Sequence, residues 1–305
     1  MLSVIVPAYN EELSVERAYH TISGILKDAD IDNEIIFVDD GSKDKTYEKL
    51  LALSESVSGM VGLHFSRNFG KEAAISAGLA AAKGDCAVVI DCDLQHPPEK
   101  IVEMYRLWQE GFEIVEGVKS SRGKEGKAHG FAAKTFYSII SRVIGFDMSN
   151  ASDFKLLDRK VVDVINSIPE KRGFFRAISF WVGYNKTSVE YEVNERLEGE
   201  TKWSTVGLIK YAITNITSFS TAPMQIVTVL GCILAVLSVA LGIWVGVDGI
   251  CDGGFSHTGI IVSVLSFVGS VIMMALGIIG YYIARIYEEI KGRPKYIVSS
   301  VCKSK

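Results

Sequence analysis

Two stretches of this 305-residue chain carry no charge: Pro223–Val247 (PMQIVTVLGCILAVLSVALGIWVGV) and Gly259–Ile283 (GIIVSVLSFVGSVIMMALGIIGYYI). An α-helix needs about 20 apolar residues to cross about 30 Å of hydrocarbon, and each stretch exceeds that. Buried as a core hairpin, they would need a soluble domain large enough to surround both, and only a short tail follows them. Two membrane spans are therefore expected, at 223–247 and 259–286, joined by a loop at 248–258 and followed by a tail at 287–305.

Lysine and arginine set the expected orientation. The loop Asp248–Thr258 has two aspartates and no Lys or Arg, whereas Lys202 and Lys210 precede the first span and Arg285, Lys291, Arg293, Lys295, Lys303 and Lys305 follow the second. Both termini are expected in the cytosol, with the loop outside. Gly231, Gly242, Gly269, Gly277 and Gly280 allow close helix approach, which permits a homo-oligomer without requiring one. Segment 203–222 mixes Trp203, Leu208, Ile209, Tyr211 and Phe219 with Lys210 and several hydroxyls, and reads either as an interfacial helix or as a plain linker.

The remaining residues, 1–202, have the composition of a soluble domain. A net charge of −4 lacks the concentrated basic face that phosphate-tracking proteins use, so no nucleic-acid partner is expected. The five cysteines (Cys86, Cys92, Cys232, Cys251, Cys302) have neither zinc-ligand spacing nor an even count, so no zinc site or disulfide framework is indicated. The chain opens on Leu2-Ser3-Val4-Ile5-Val6-Pro7, a strand rather than a secretory leader.

Apolar runs at 2–6, 34–38, 61–65, 86–91 and 113–118 alternate with helical patterns near 11–28, 45–56, 71–82 and 98–110. This alternation predicts an α/β, Rossmann-like domain with a mainly parallel sheet, whose ligands bind beyond the carboxyl ends of the strands. After the first strand come Pro7-Ala8-Tyr9-Asn10-Glu11-Glu12, where Asn10 is placed to cap the next helix; after the second come Asp39-Asp40-Gly41-Ser42. After the fourth comes Ile90-Asp91-Cys92-Asp93-Leu94-Gln95-His96-Pro97-Pro98. If extended, Asp91 and Asp93 point the same way and make an oxygen-rich site for Mg²⁺ or Mn²⁺, with Gln95 a further ligand or a contact behind it. Such a cation would stabilise a departing diphosphate. The chain has no dinucleotide fingerprint and no P-loop, and His64 and His96 lack a nucleophile partner.

SVIVPAYNEE, IIFVDDGSKD, SRNFGKEAAISAGLAAAKGD and VVIDCDLQHPPE occur in that order, and the order resembles family 2 glycosyltransferases of GT-A fold. Within them the chain is similar to the polyprenyl-phosphate group that contains dolichyl-phosphate mannose synthases and bactoprenol glucosyltransferases. The resemblance implies that Pro7, Tyr9, Glu11 and Asp39, with Asp40 in the same loop, hold the nucleotide, and that Asp91, Asp93 and Gln95 hold metal and diphosphate. In SDFKLL it makes Asp153 the active-site acid, which with Asp93 is the catalytic candidate, either as base or as positioning residue. ERLEGETKW is matched to the stretch that sets basic residues against phosphates. Arg122, Lys124, Lys127, Arg196 and Lys202 are the candidates to receive a lipid phosphate, with solvated surface charge as the plainer reading of each.

The implied reaction is transfer of glucose from UDP-glucose to undecaprenyl phosphate with inversion, at the bacterial inner membrane, with a flippase and a second transferase downstream. Other donors (GDP-mannose, UDP-N-acetylglucosamine, a UDP-aminoarabinose) and a catalytically silent membrane scaffold are the alternatives. The Q-x-x-R-W motif of processive synthases is absent, which implies a single transfer.

Overall fold

In the computed structural model, which describes residues 1–119, 152–169, 175–192 and 257–304, the unbroken apolar runs become the centre of one sheet. Strands β1 (Leu2–Ala8), β2 (Asn33–Asp39), β3 (Met60–Phe65) and β4 (Cys86–Val89) are buried over most of their length. This is expected where helices cover both faces of a parallel sheet. Between them run α1 (Val15–Asp28), α2 (Thr46–Ser56) and α3 (Lys71–Ala81). Helix α1 buries Val15, Ala18, Tyr19, Ile22 and Leu26, a 3.6-residue stripe facing the sheet. Helix α3 sits very close to β1, because a Cβ on Gly78 would lie 2.3 Å from Ile5 Cγ2.

The chain continues through α4 (Lys100–Gln109), β5 (Ile114–Lys119), β6 (Lys155–Asp158), α5 (Arg159–Ser167), α6 (Phe175–Trp181) and β7 (Lys186–Tyr191). Helix α7 (His257–Ile290) and strand β8 (Val298–Lys303) complete the described elements. The sheet has eight strands in the order β7-β5-β6-β4-β1-β2-β3-β8. Strand β1 is parallel to β2 and β4, β2 to β3 and β5 to β7, while β3–β8, β4–β6 and β5–β6 are antiparallel. The mainly parallel α/β sheet matches the expectation. The strand order reverses between β1 and β4, and the crevice at such a switch point is where open α/β sheets bind ligands.

Three readings change. Strand β4 ends at Val89, so Asp91 and Asp93 lie in a turn, with Leu94 at a φ of 54°, and not on an extended strand. Asn10 does not cap α1, whose N-cap is Ser14; Asn10 takes a φ of 54°, and its Oδ1 accepts from the Lys43 N–H at 2.9 Å. The segment read as a tail contains β8, which pairs with β3 from Val61↔Lys303 to Phe65↔Val298. Around that pairing, Ser66 N–H donates to Ile297 O at 3.0 Å, Tyr296 stacks on Phe65 at 5.1 Å, and Cys302 is buried over Gly62. The three described cysteines, Cys86, Cys92 and Cys302, are free and buried.

The chain divides into two units, Met1–Lys210 with Pro294–Lys305, and Tyr211–Arg293. The first holds the sheet. In the second, α7 runs 34 residues and exposes Ile261, Leu265, Val268, Ile272, Leu276, Ile279, Ile283, Ile286 and Ile290 at steps of three or four. Among the described residues no helix is long and apolar enough to cross a membrane. The expected span 223–247 and segment 203–222 lie outside the described residues.

Candidate functional site

The loops after β1 and β2 are laced together through backbone amides. Asn10 N–H donates to Ser42 Oγ at 2.9 Å, Glu11 N–H to Thr46 Oγ1 at 2.8 Å, and Lys45 N–H to Glu12 Oε2 at 3.0 Å. This lacing presents Pro7, Tyr9 and Glu11, all partly buried, at the carboxyl end of β1.

The two carboxylates after β2 face inward. Asp39 is fully buried: Oδ1 accepts from the Ser42 N–H at 3.0 Å and from the Ser42 hydroxyl, and Oδ2 meets His64 Nδ1 at 2.6 Å. Tyr47 stacks on that imidazole with centroids 4.2 Å apart. Asp40, 3% exposed, accepts from the Phe69 N–H at 2.6 Å and the Gly70 N–H at 2.8 Å. Burial pushes the Asp40 carboxyl up, and the neighbouring charge of Asp39 adds to this, while the two amide bonds oppose it. Gly41, at a φ of 65°, passes so close to the Arg67 main chain that no Cβ would fit. In this structure Asp40 therefore builds the loop at 66–70, while Asp39 holds Ser42 and His64.

What that loop carries is Lys71, the first residue of α3. Its Nζ lies 2.6 Å from Asp91 Oδ1 and 2.9 Å from Asp153 Oδ2. Asp153 is in turn gripped by Arg176 on α6, Nε to Oδ1 at 2.7 Å and Nη2 to Oδ2 at 2.9 Å, the two-pronged geometry a guanidinium favours. One turn on, Ser179 Oγ accepts from Lys155 Nζ at 2.7 Å, and Lys155, 1% exposed, also pairs with Glu116 at 3.0 Å. Helix α6 is thus tied to β6 at two points, and β6 places Asp153 beside the end of β4.

Burial alone would raise the Asp153 carboxyl, but Lys71 and Arg176 outweigh it and hold it well below the ordinary carboxylate range. Asp91 is likewise lowered against the pull of burial, chiefly by Lys71. For Lys71, burial works against the charge, and the two carboxylates more than offset it, so the ammonium stays protonated. Both oxygens of Asp153 are thus held by cations, which favour its ionised form.

Glu72, next along α3, has the opposite character. Burial first, then the charge of Asp153, push its carboxyl up to about 7, against the Phe175 N–H that its Oε2 accepts at 2.8 Å and the charges of Arg176 and Lys71. A folded value above the ordinary 4.5 means that Glu72 supports the fold fully below about pH 4.5 and that this support is lost as pH rises through 7. Glu72→Gln keeps an acceptor for Phe175 without the charge. The expected result is a Tm difference, variant minus wild type, that is larger at pH 8 than at pH 5 by thermal melts; an equal difference at both pH values would count against it.

Beyond the end of β4, Asp93 Oδ1 accepts from the Gln95 N–H at 3.1 Å. His96 stacks on Phe154 at 5.2 Å, and its buried Nδ1 has no hydrogen-bond partner, lying 3.9 Å from Asp91 Oδ2. Burial lowers the imidazole despite Asp91, which leaves it neutral at pH 7. Among the described residues no group of three His, Cys, Asp or Glu is gathered as a metal cluster. The donor types in this turn nevertheless fit a hard divalent cation: carboxylates at Asp91 and Asp93, an amide at Gln95, and an orphaned buried nitrogen at His96 facing the same carboxylate. Asp91 Oδ1 is occupied by Lys71, so the donors are present without being converged.

Residues 3–165, from β1 through α5, match Glycosyl transferase family 2. The chain belongs to that family. Two relatives extend the likeness over almost the whole length of this family 2 glycosyltransferase. It is 38% identical over 305 residues to a protein named prophage bactoprenol glucosyl transferase homolog from Escherichia coli strain K12, covering 99% of each chain. It is also 38% identical over 300 residues to the bactoprenol glucosyl transferase of Shigella phage SfII, covering 97% of each. A crystal structure of glucosyl-3-phosphoglycerate synthase from Mycobacterium tuberculosis, with Mn²⁺, uridine diphosphate and glucosyl-3-phosphoglycerate, has the same fold, with a TM-score of 0.54 at 22% identity over 72% of this chain and 80% of that one.

Of the residues singled out from sequence, Asp91 and Asp153 meet through Lys71, and Asp93 and Gln95 share the turn with Asp91. Arg122, Lys124, Lys127, Arg196 and Lys202 lie outside the described residues. Sequence reasoning assigned no role to Lys71, Glu72, His96 or Arg176. One signal was available for Lys71: a lysine in the first turn of a helix opposes the macrodipole, so its charge must be answered by something other than its own helix.

Proposed function

We propose that this glycosyltransferase moves a sugar, glucose from UDP-glucose, onto the phosphate of undecaprenyl phosphate, inverting the anomeric centre and supplying a lipid-linked sugar for cell-envelope or O-antigen glycosylation. The observation that carries the reading is the match to bactoprenol glucosyl transferases along 97–99% of both chains, which runs through the uncharged segments as well as the sheet domain.

The site supports the chemistry. A phosphate monoester has a second pKa of about 6, so the acceptor is largely dianionic at neutral pH and needs no base. One acceptor oxygen forms the bond to the anomeric carbon, the bond from that carbon to the diphosphate oxygen breaks, and its electron pair leaves with UDP. No proton has to move. Asp153, ionised and held by Lys71 and Arg176, suits the orienting role. Asp91, Asp93, Gln95 and His96 would hold a Mg²⁺ or Mn²⁺ ion, which when bound offsets the charge that develops on the leaving diphosphate.

A lipid acceptor gives the anchor a reason. The sequence of α7 from Gly259 to Ile283 is uncharged, and 34 residues reach about 51 Å at about 1.5 Å per residue. A stripe of nine exposed large apolar side chains suits a bilayer far better than water. The pairing of β8 with β3 supports a reading in which any crossings between them are even in number. If α7 crosses, Pro223–Val247 is the segment available to cross back. The reading is therefore two spans, with the sheet domain, segment 203–222 and the tail on the cytosolic face of the bacterial inner membrane, and with a flippase and second transferase acting on the product.

The test is transfer of radiolabel from a panel of nucleotide-sugars to undecaprenyl phosphate in detergent with Mg²⁺ or Mn²⁺, for the native chain and Asp93→Ala. Label should enter lipid from UDP-glucose and be lost with chelator and with the substitution. Label entering from a different donor would correct the sugar; none from any donor, with the fold intact, would sink the lipid-phosphate reading.

A further inference from the structure

Lys71 is the one described side chain whose charged group bridges the donor turn and Asp153. Its ammonium has three N–H donors, of which one is directed at Asp91 Oδ1 at 2.6 Å and one at Asp153 Oδ2 at 2.9 Å. Its position is built from below: Asp40 fixes the Phe69 and Gly70 amides immediately before it, Gly41 seats the Arg67 backbone, and Glu72 beside it holds the start of α6. The Lys71 side chain as a whole is 41% exposed.

The juxtaposition has a chemical consequence that rests on the proposed reaction. A phosphate dianion must come within bonding distance of a sugar whose other side carries a diphosphate, and it must do so between two carboxylates. Among the described residues, Lys71 and Arg176 are the cations that touch Asp153. We propose that the third N–H of Lys71 binds the acceptor's phosphate monoester, making Lys71 a substrate-contacting residue that links the donor turn to Asp153. The ligand class is a phosphate monoester dianion, whether it comes on a prenyl chain or as free phosphate.

The experiment uses the full chain in detergent. Binding of citronellyl phosphate and of inorganic phosphate is followed by ³¹P NMR titration with Mg²⁺ and UDP present, and UDP binding with Mn²⁺ is measured separately by calorimetry. A charge-assisted bond of this kind predicts that Lys71→Met weakens citronellyl phosphate binding by about 10- to 100-fold. Its UDP affinity should stay within about threefold of wild type, since the donor turn keeps its own ligands. Lys71→Arg, which keeps the charge, should recover most of the loss, and in transfer assays the acceptor KM should rise while the donor KM holds.

Unchanged citronellyl phosphate binding in Lys71→Met would overturn the proposal. So would a loss of UDP binding as large as the loss of phosphate binding, which would make Lys71 a support for the donor turn alone. Equal effects on inorganic and citronellyl phosphate would assign the contact to the phosphate itself; an effect on neither, or on UDP only, would refute it. If the wild type binds citronellyl phosphate yet transfers no sugar to lipid, the proposed reaction fails while the binding comparison still decides what Lys71 contacts.

Discussion

Asp153→Asn should abolish most sugar transfer, by on the order of 10²- to 10³-fold, while leaving UDP binding nearly intact. The substitution keeps the size and removes the charge on which two cations converge. Lys71 then keeps its pairing with Asp91, and Arg176 loses the two-pronged bond to a carboxylate at Asp153. Breaking one member of a buried ion pair typically costs about 3–5 kcal/mol, and with Lys71 and Arg176 partly exposed the lower end applies. A fall in Tm is therefore expected beside the loss of activity. Arg176→Gln provides the comparison, because Asp153 keeps Lys71; transfer should fall by clearly less than in Asp153→Asn. The acid side of the pH profile carries a further sign. With the Asp153 carboxyl held well below its ordinary range, its contribution to the fold is present above the ordinary value near 3.8 and lost only as pH falls through the depressed one, so wild-type activity lost between pH 6 and 5 must come from another group. Steady-state kinetics of the three proteins across pH, with thermal melts alongside, check all of this; a variant Asp153→Asn with near-native kcat would remove Asp153 from the mechanism.

The parts of the fold that rest on local pattern were legible. Unbroken apolar runs such as Leu2–Val6 and Ile35–Val38 have one stable use in a small α/β domain, as strands covered on both faces, and the amphipathic stripe of α1 has one use as a cover. The Asp91-x-Asp93 turn was legible as chemistry because carboxylates directly after a strand sit at the ligand-binding edge, whereas Asp153, which precedes β6, was supplied by the family resemblance alone. What the sequence does not display is which side chains face each other across 60 or 80 residues. Asp39 and Asp40 are adjacent in sequence, but the partners they take, Ser42 and His64 for the first and the amides before α3 for the second, are not displayed there. Lys71 and Arg176 come from different elements and meet only because β6 returns antiparallel beside β4, from Cys86↔Asp158 to Val89↔Lys155. The turn at 91–93 was misjudged by two residues of strand, and a strand end is settled by where backbone pairing stops rather than by the apolarity of the next residue.

The C-terminal strand is the largest feature that pattern alone passed over, since VSSVCK alternates weakly and follows charged residues that read as a tail. Its removal should be costly. Deleting residues 294–305 takes away the ladder on β3, the Ser66–Ile297 and Ser304–Met60 backbone bonds, the stacking of Tyr296 on Phe65, and the burial of Cys302. At about 1 kcal/mol for each net hydrogen bond and about 0.5–1.5 for the aromatic pair, several bonds together cost about 3–5 kcal/mol. For a domain of this size that lowers Tm by on the order of 10 °C and leaves β3 as an open edge prone to pair with another chain. Gly62→Val should reproduce part of the effect without shortening the chain, because even a Cβ there would lie 2.5 Å from Cys302 Sγ and must push β8 away. Cys302 reports the same event chemically: burial raises its thiol and shields it, so maleimide labelling should be slow in the native protein and fast in Gly62→Val. Fast labelling of native Cys302, or a truncated chain that melts at the native temperature, would return the segment to being a tail, and the argument for an even number of membrane crossings would go with it.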